Sequence, residues 1–121
     1  MMDARNTGIF GEMMAVRFLR KHGYTIVTTN FHSRFGEVDI IAQKKETLVF
    51  AEVKTRGESA LITPAQAVTA LKQQKIKKTA LSYLALTRSQ EMNVRFDVLE
   101  VVLKHRNKKS VCIRHIENAF D

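Results

Sequence analysis

The sequence predicts an α/β domain: a mixed five-stranded sheet flanked by helices, in the order helix, three strands, helix, two strands. Two apolar patterns of helical period and five runs rich in Val, Ile, Thr and Phe carry that expectation. A third observation concerns two of those runs. They are apolar at nearly every position, as strands covered on both faces are, yet they contain acids and a lysine.

The elements follow in order. From Ala4 to His22, Ile9, Val16 and Leu19 recur near helical period, and Gly23 then ends the helix. Tyr24 to Phe31 reads as the first strand, Gly36 to Gln43 as the second and Thr47 to Thr55 as the third. Lys44, Lys45 and Glu46 form the turn of a hairpin, and Arg56 to Ile62 reads as a loop. Thr63 as N-cap and the only proline, Pro64, at the first helical position start a helix that runs to Thr87. Ile76, Ala80, Tyr83 and Leu84 form its apolar stripe. Two strands close the chain, Val94 to Leu103 and Ser110 to Ile116, joined by a basic turn over Lys104 to Lys109.

The chain has 121 residues, which suits a single domain spanning 1–121. One cysteine permits no internal disulfide and excludes a Cys-rich zinc site. No apolar run reaches the ~20 residues a bilayer requires, and the N-terminal segment lacks the apolar core of a signal peptide. A cytoplasmic protein is expected. A net charge of +8 favours polyanionic partners, although a solubilising surface produces the same value.

Alternation along the strands puts Glu37, Asp39 and Ile41 on one face of the second strand. It puts Leu48, Phe50, Glu52 and Lys54 on one face of the third. A two-residue loop at Lys45-Glu46 then sets Asp39 directly opposite Glu52. Two buried carboxylates that close repel each other, and a hard divalent cation, Mg²⁺ or Mn²⁺, relieves the repulsion. The Val53 carbonyl is a further candidate ligand. Lys54, two residues along on the same face, is positioned to orient a water and to neutralise a phosphate. A surface hairpin with an ordinary Glu52–Lys54 pair is the plain alternative.

Glu12 interrupts the apolar stripe of Ile9, Val16 and Leu19. It reads either as a third carboxylate, binding the metal directly or through water, or as an acid at the stripe edge that reaches solvent. Arg34, Arg56 and Lys72 are candidates for flanking phosphates, as is Gln66, while Lys72 alone also reads as a solvated lysine with its stem on the core. Lys75, Lys77 and Lys78 read as a solvated face. The four histidines (22, 32, 105, 115) lack metal-ligand spacing and are assigned to the surface or strand ends. Cys112, Met13 and Met14 read as packing residues. Asp97 reads as the partner of a neighbouring cation or as a neighbour of the site.

Asp39, a gap of twelve residues, then Glu52-Val53-Lys54 resembles the PD-(D/E)xK nuclease motif, with Val38 in place of the usual proline. Longer matches span nearly the whole chain. They include Gly11-Glu12, Gly23-Tyr24, Gly36-Glu37-Val38-Asp39-Ile40-Ile41-Ala42, Val49 to Arg56, and Arg95-Phe96-Asp97-Val98. Together they resemble the YraN-like family of small, uncharacterised bacterial proteins (UPF 0102). The resemblance implies a restriction-endonuclease-like core similar to that of Holliday-junction resolvases. It also implies an active site at Glu12, Asp39, Glu52 and Lys54, and the pairing of resolvases implies a possible homodimer. The expected function is Mg²⁺-dependent endonucleolytic hydrolysis of nucleic acid, DNA favoured and structured or branched DNA included. A non-catalytic nucleic-acid-binding module of the same fold is the alternative, and an adaptor using the basic helix is a weaker third.

Overall fold

The computed structural model describes residues 4–57, 68–104 and 111–121. Helix α1 (Ala4–Lys21) leads into strands β1 (Thr25–Ser33), β2 (Gly36–Lys44) and β3 (Thr47–Gly57). Helix α2 (Ala70–Thr87) precedes β4 (Asn93–Leu103) and β5 (Val111–Phe120). The five strands lie side by side in chain order in one mixed sheet, with β3 and β4 parallel and the other neighbours antiparallel. The order of elements and the mixed sheet are those the sequence predicts. Among the described residues no helix is long and apolar enough to cross a membrane.

The helices cover opposite faces. Ile76, Ala80, Tyr83 and Leu84 of α2 pack on Val38, Ile41, Leu48, Phe50 and Val98. Ala15 and Leu19 of α1 pack on Ile40, Ala42, Val49, Ala51, Leu99 and Val101. Phe50 is fully buried and packs near edge-on against Tyr83; burial of such a side chain contributes about 1.5–3 kcal/mol.

Several boundaries differ from expectation. α2 does not run on from Pro64, because Val68 and Thr69 are not helical. Thr69 is extended (φ −66°, ψ 162°), and its hydroxyl accepts from the Lys72 N–H at 3.1 Å. It is therefore the N-cap of the helix that begins at Ala70. Thr63, Pro64 and Gln66 lie outside the described residues, as do the loop from 58, His105 and the rest of the basic turn from 105 to 110. Arg56 and Gly57 continue β3 instead of opening a loop, paired with Val102 and Leu103 of β4. β5 extends to Phe120, whose ring stacks on Phe96 at 5.3 Å.

Ile9 is not part of the buried stripe of α1. It is 51% exposed, and the face against the sheet is made of Gly11, Ala15 and Leu19. Small residues there let the helix axis come close. A Cβ on Gly11 would collide with Thr55 Oγ1. Met13 is 56% exposed and does not pack as expected, whereas Met14 packs against the core. Cys112 is exposed rather than buried, because edge strand β5 alternates and turns that position to solvent.

Candidate functional site

The hairpin between β2 and β3 turns on Lys45 and Glu46, with Lys45 at a left-handed φ of 55°. Its register runs from Lys44 opposite Thr47 to Ile40 opposite Ala51. One more step would set Asp39 opposite Glu52, as expected, but the ladder stops there. Asp39 Oδ2 instead accepts the Val53 N–H at 2.8 Å, so a side chain takes over from the strand.

The break has a cause in β2 and β1. Val38 packs under α2 while Ile40 packs under α1, although strict alternation would turn both the same way. Across the sheet, Asn30 adopts a left-handed φ of 53° between the Thr29–Ile40 and Phe31–Val38 pairs. Asn at that position tolerates the conformation. Its side chain hydrogen-bonds Glu12 of α1. Both strands are thus kinked at the level of Asp39, whose carboxylate reaches across to β3 rather than standing on the face of Ile41.

Glu12, Asp39, Glu52 and Lys54 line one cavity of about 410 Å³ together with Thr7, Gly8, Val53 and Thr55. Glu52 is 5% exposed, and its Oε2 is buried with no hydrogen-bond partner. Lys54 Nζ stands 3.8 Å from Glu52 Oε1, and Lys72 Nζ of α2 stands 3.9 Å from Oε2. Burial first, then the charge of Asp39, pushes the Glu52 carboxyl up to about 8, against the opposing pull of Lys72 and Lys54. Burial, followed by Asp39, also raises Glu12, while the hydrogen bond from Asn30 holds it back and Glu37 adds to the rise. Such a cluster disfavours negative charge, and a cation placed there would relieve it. Among the described residues no three acids, histidines or cysteines form a ready ligand set. One or two carboxylates completed by water are the usual protein share of a magnesium shell, so Asp39 and Glu52 fit that ion better than zinc.

The remaining candidates separate. Lys72 comes to the site. Arg56 Nε lies 3.3 Å from Glu100 Oε2, and its side chain is 17% exposed. Arg34 is exposed in the turn between β1 and β2, with its guanidinium 4.8 Å from the centre of the Phe35 ring. Gln66 is outside the described residues.

Glu100 is the acid that the sequence reading overlooked. It is 5% exposed, opposite Lys54 in the parallel register, and paired with Arg56 and, at 3.7 Å, with Arg114. The signal was available: a glutamate within Val98-Leu99-Glu100-Val101-Val102 is the same misfit that singles out Glu52. Asp97 is fully buried and does pair with a cation. Arg95 Nη2 donates to it at 2.8 Å, His115 Nε2 lies at 2.6 Å, and the Asn118 N–H donates at 2.9 Å. His115 therefore belongs to a network between β4 and β5 around the buried Asp97, not to the surface. Burial raises the Asp97 carboxyl, but the hydrogen bonds from His115, Arg95 and Asn118 outweigh it and leave the group below its ordinary value.

Comparison with known proteins adds kinship. The model of a family described as an uncharacterised protein family, UPF0102, matches residues 11–101. A UPF0102 protein of Alkaliphilus oremlandii (strain OhILAs) is 43% identical over 118 residues, covering 96% of this chain and 98% of the relative. One from Caldicellulosiruptor bescii is 44% identical over 120 residues, covering 98% of this chain and all of the relative (100%). One from Clostridium acetobutylicum is 44% identical over 116 residues, covering 96% and 94%. On a family-model match over residues 11–101 and relatives 43–44% identical over nearly the whole chain, the chain belongs to the uncharacterised protein family UPF0102.

Proposed function

We propose that this protein is a metal-dependent endonuclease with a restriction-endonuclease-like core, hydrolysing phosphodiester bonds of nucleic acid, DNA favoured, in the cytoplasm. One observation carries the reading: a buried Glu52 oxygen without a hydrogen bond, beside Asp39, with the Lys54 ammonium at hand. A buried, unsatisfied carboxylate oxygen is costly in a fold that needs nothing there. Mg²⁺ or Mn²⁺ held by Asp39 and Glu52, with Glu12 direct or through water, offsets that cost. Bound there, the cation supplies Lewis-acid polarisation of a phosphoryl oxygen.

The chain's own groups do the rest. Lys54 orients a water and donates to a non-bridging phosphate oxygen, stabilising charge that develops on phosphorus. Asp39, fixed by the Val53 N–H, keeps its second oxygen for the site. Lys72 is close enough to exchange Glu52 for an incoming phosphate. Arg34 and Gln66 remain proposed contacts to flanking phosphates. Arg56 can serve that role only by sharing its guanidinium with Glu100.

A second reading has its own observation. Lys54 and Lys72 stand on the two oxygens of Glu52, and they could neutralise it permanently in a nucleic-acid-binding module without chemistry. Purified wild type and Asp39→Asn are compared on duplex, branched and single-stranded DNA and on RNA, with Mg²⁺ and with Mn²⁺. Asparagine keeps an acceptor for the Val53 N–H while removing the charge. Cleavage by wild type and its loss in the variant support the enzyme. Tight gel shifts without turnover in either metal favour the binding module.

A further inference from the structure

A second, larger cavity opens beside the first. About 910 Å³ in volume, it runs between α1 and β1 and shares Gly8 and Glu12 with the acidic cavity. Its helical wall is one face of α1. Ile9, Met13, Val16 and Arg20 follow one another at helical spacing, with Arg17 beside them. Eleven residues of rise make that wall about 16 Å long. Ile9 and Met13 are each more than half exposed, and Arg17 and Arg20 are exposed. On the β1 side stand Asn30 and His32, and Glu37 lies at the inner end against His32 Nδ1 at 3.7 Å.

The wall thus offers an apolar floor near the acids and two guanidinium groups farther out. We propose that this groove binds an unstacked, single-stranded segment of nucleic acid that leads into the acidic site; the inference rests on the nuclease reading of that site. A duplex turns phosphates outward and keeps base faces stacked inside, so it presents nothing to Ile9 and Met13. An unstacked base offers a flat apolar face, and apolar or aromatic side chains take it without regard to sequence. Arg17 and Arg20 then hold the phosphates of the same strand. The substrate class that follows is DNA or RNA with a single-stranded arm or end, not a blunt duplex.

The test is fluorescence anisotropy with a labelled single-stranded oligonucleotide and a blunt duplex of equal length, in EDTA so that no cleavage consumes the probe. Wild type is expected to prefer the single strand. Ile9→Ser/Met13→Ser, which changes no charge, weakens single-strand binding about fivefold or more and leaves duplex binding unchanged. Arg17→Gln/Arg20→Gln lowers the slope of log affinity against log salt by about 1.4, at ~0.7 for each charge on a single strand. Single-strand affinity unchanged in either double variant overturns the groove. So does a wild type that holds the duplex as tightly as the single strand. If wild type cleaves nucleic acid while the groove variants bind like wild type, only the groove is lost. If wild type binds neither probe and cleaves nothing, the groove and the nuclease reading fall together.

Discussion

Lys72 Nζ lies 3.9 Å from Glu52 Oε2, a buried carboxylate oxygen that no hydrogen bond satisfies. A residue in the first turn of α2 thereby competes for the position a cation would take. Replacing Lys72 by methionine removes that competing charge and keeps the stem. Lys72→Met is expected to bind Mn²⁺ about twofold to fivefold more tightly by calorimetric titration. It is also expected to bind nucleic acid less well. Weaker Mn²⁺ binding would show that the lysine supports the cation site rather than occupying it.

The raised Glu52 carboxyl sets a pH dependence. Its ordinary value is 4.5 and its folded value is about 8. A group raised on folding contributes stability that is fully present below the unfolded value and lost as pH rises through the folded one. The metal-free protein should therefore melt at falling temperatures as pH climbs from 4.5 to beyond about 8. Glu52→Gln should flatten that decline, and divalent cation should reverse it most strongly at the alkaline end. A melting profile that is equally steep in wild type and Glu52→Gln would assign the decline to other groups.

Asp97 works in the opposite direction. Its folded value is depressed below the ordinary 3.8, so its stabilisation is present above that value and lost as acid brings the pH down through the folded one. Asp97→Ala leaves Arg95 and His115 without their carboxylate. It is expected to cost about 3–5 kcal/mol in urea unfolding at neutral pH. A loss under 1 kcal/mol would mean that the network is not closed in solution.

Gly11 tests how α1 is held. Gly11→Ala drives a Cβ into Thr55 Oγ1, which should cost about 1–3 kcal/mol and displace Glu12 from the cavity. Thr55→Ala in the same chain should recover most of that stability, a coupling that a double-mutant cycle reads directly. Additive losses would place the damage elsewhere.

Much of this was legible one segment at a time. The tight turn at Lys45-Glu46 and the apolar runs beside it fixed the β2–β3 register through Ile40 and Ala51, because a one-residue slip would swap every side chain to the opposite face of the sheet and so to the other helix. Glu52 and Lys54 stood out as charges where burial was expected, and Glu52 is indeed buried. Glu100 carried the same signal and went unread, since no acid two strands away could be tied to it by sequence spacing. Ile9 and Met13 misled, because periodicity names a helical face without saying how far the sheet beneath it reaches.

Local sequence therefore determined which segments are helix or strand, the register of the hairpin, and the presence of acids and a lysine in strands too apolar to be surface. Each follows from side-chain periodicity, turn chemistry or the cost of burying charge, all of which act between near neighbours in the chain. Tertiary structure alone decided that Asp39 leaves the ladder for the Val53 N–H, that Lys72 reaches Glu52, that Asn30 holds Glu12, and that α1 lies close enough for Gly11 to touch Thr55. Those contacts join segments far apart in sequence. They are selected by the packing of two helices on opposite faces of one sheet, where a kink of a single residue changes which groups meet.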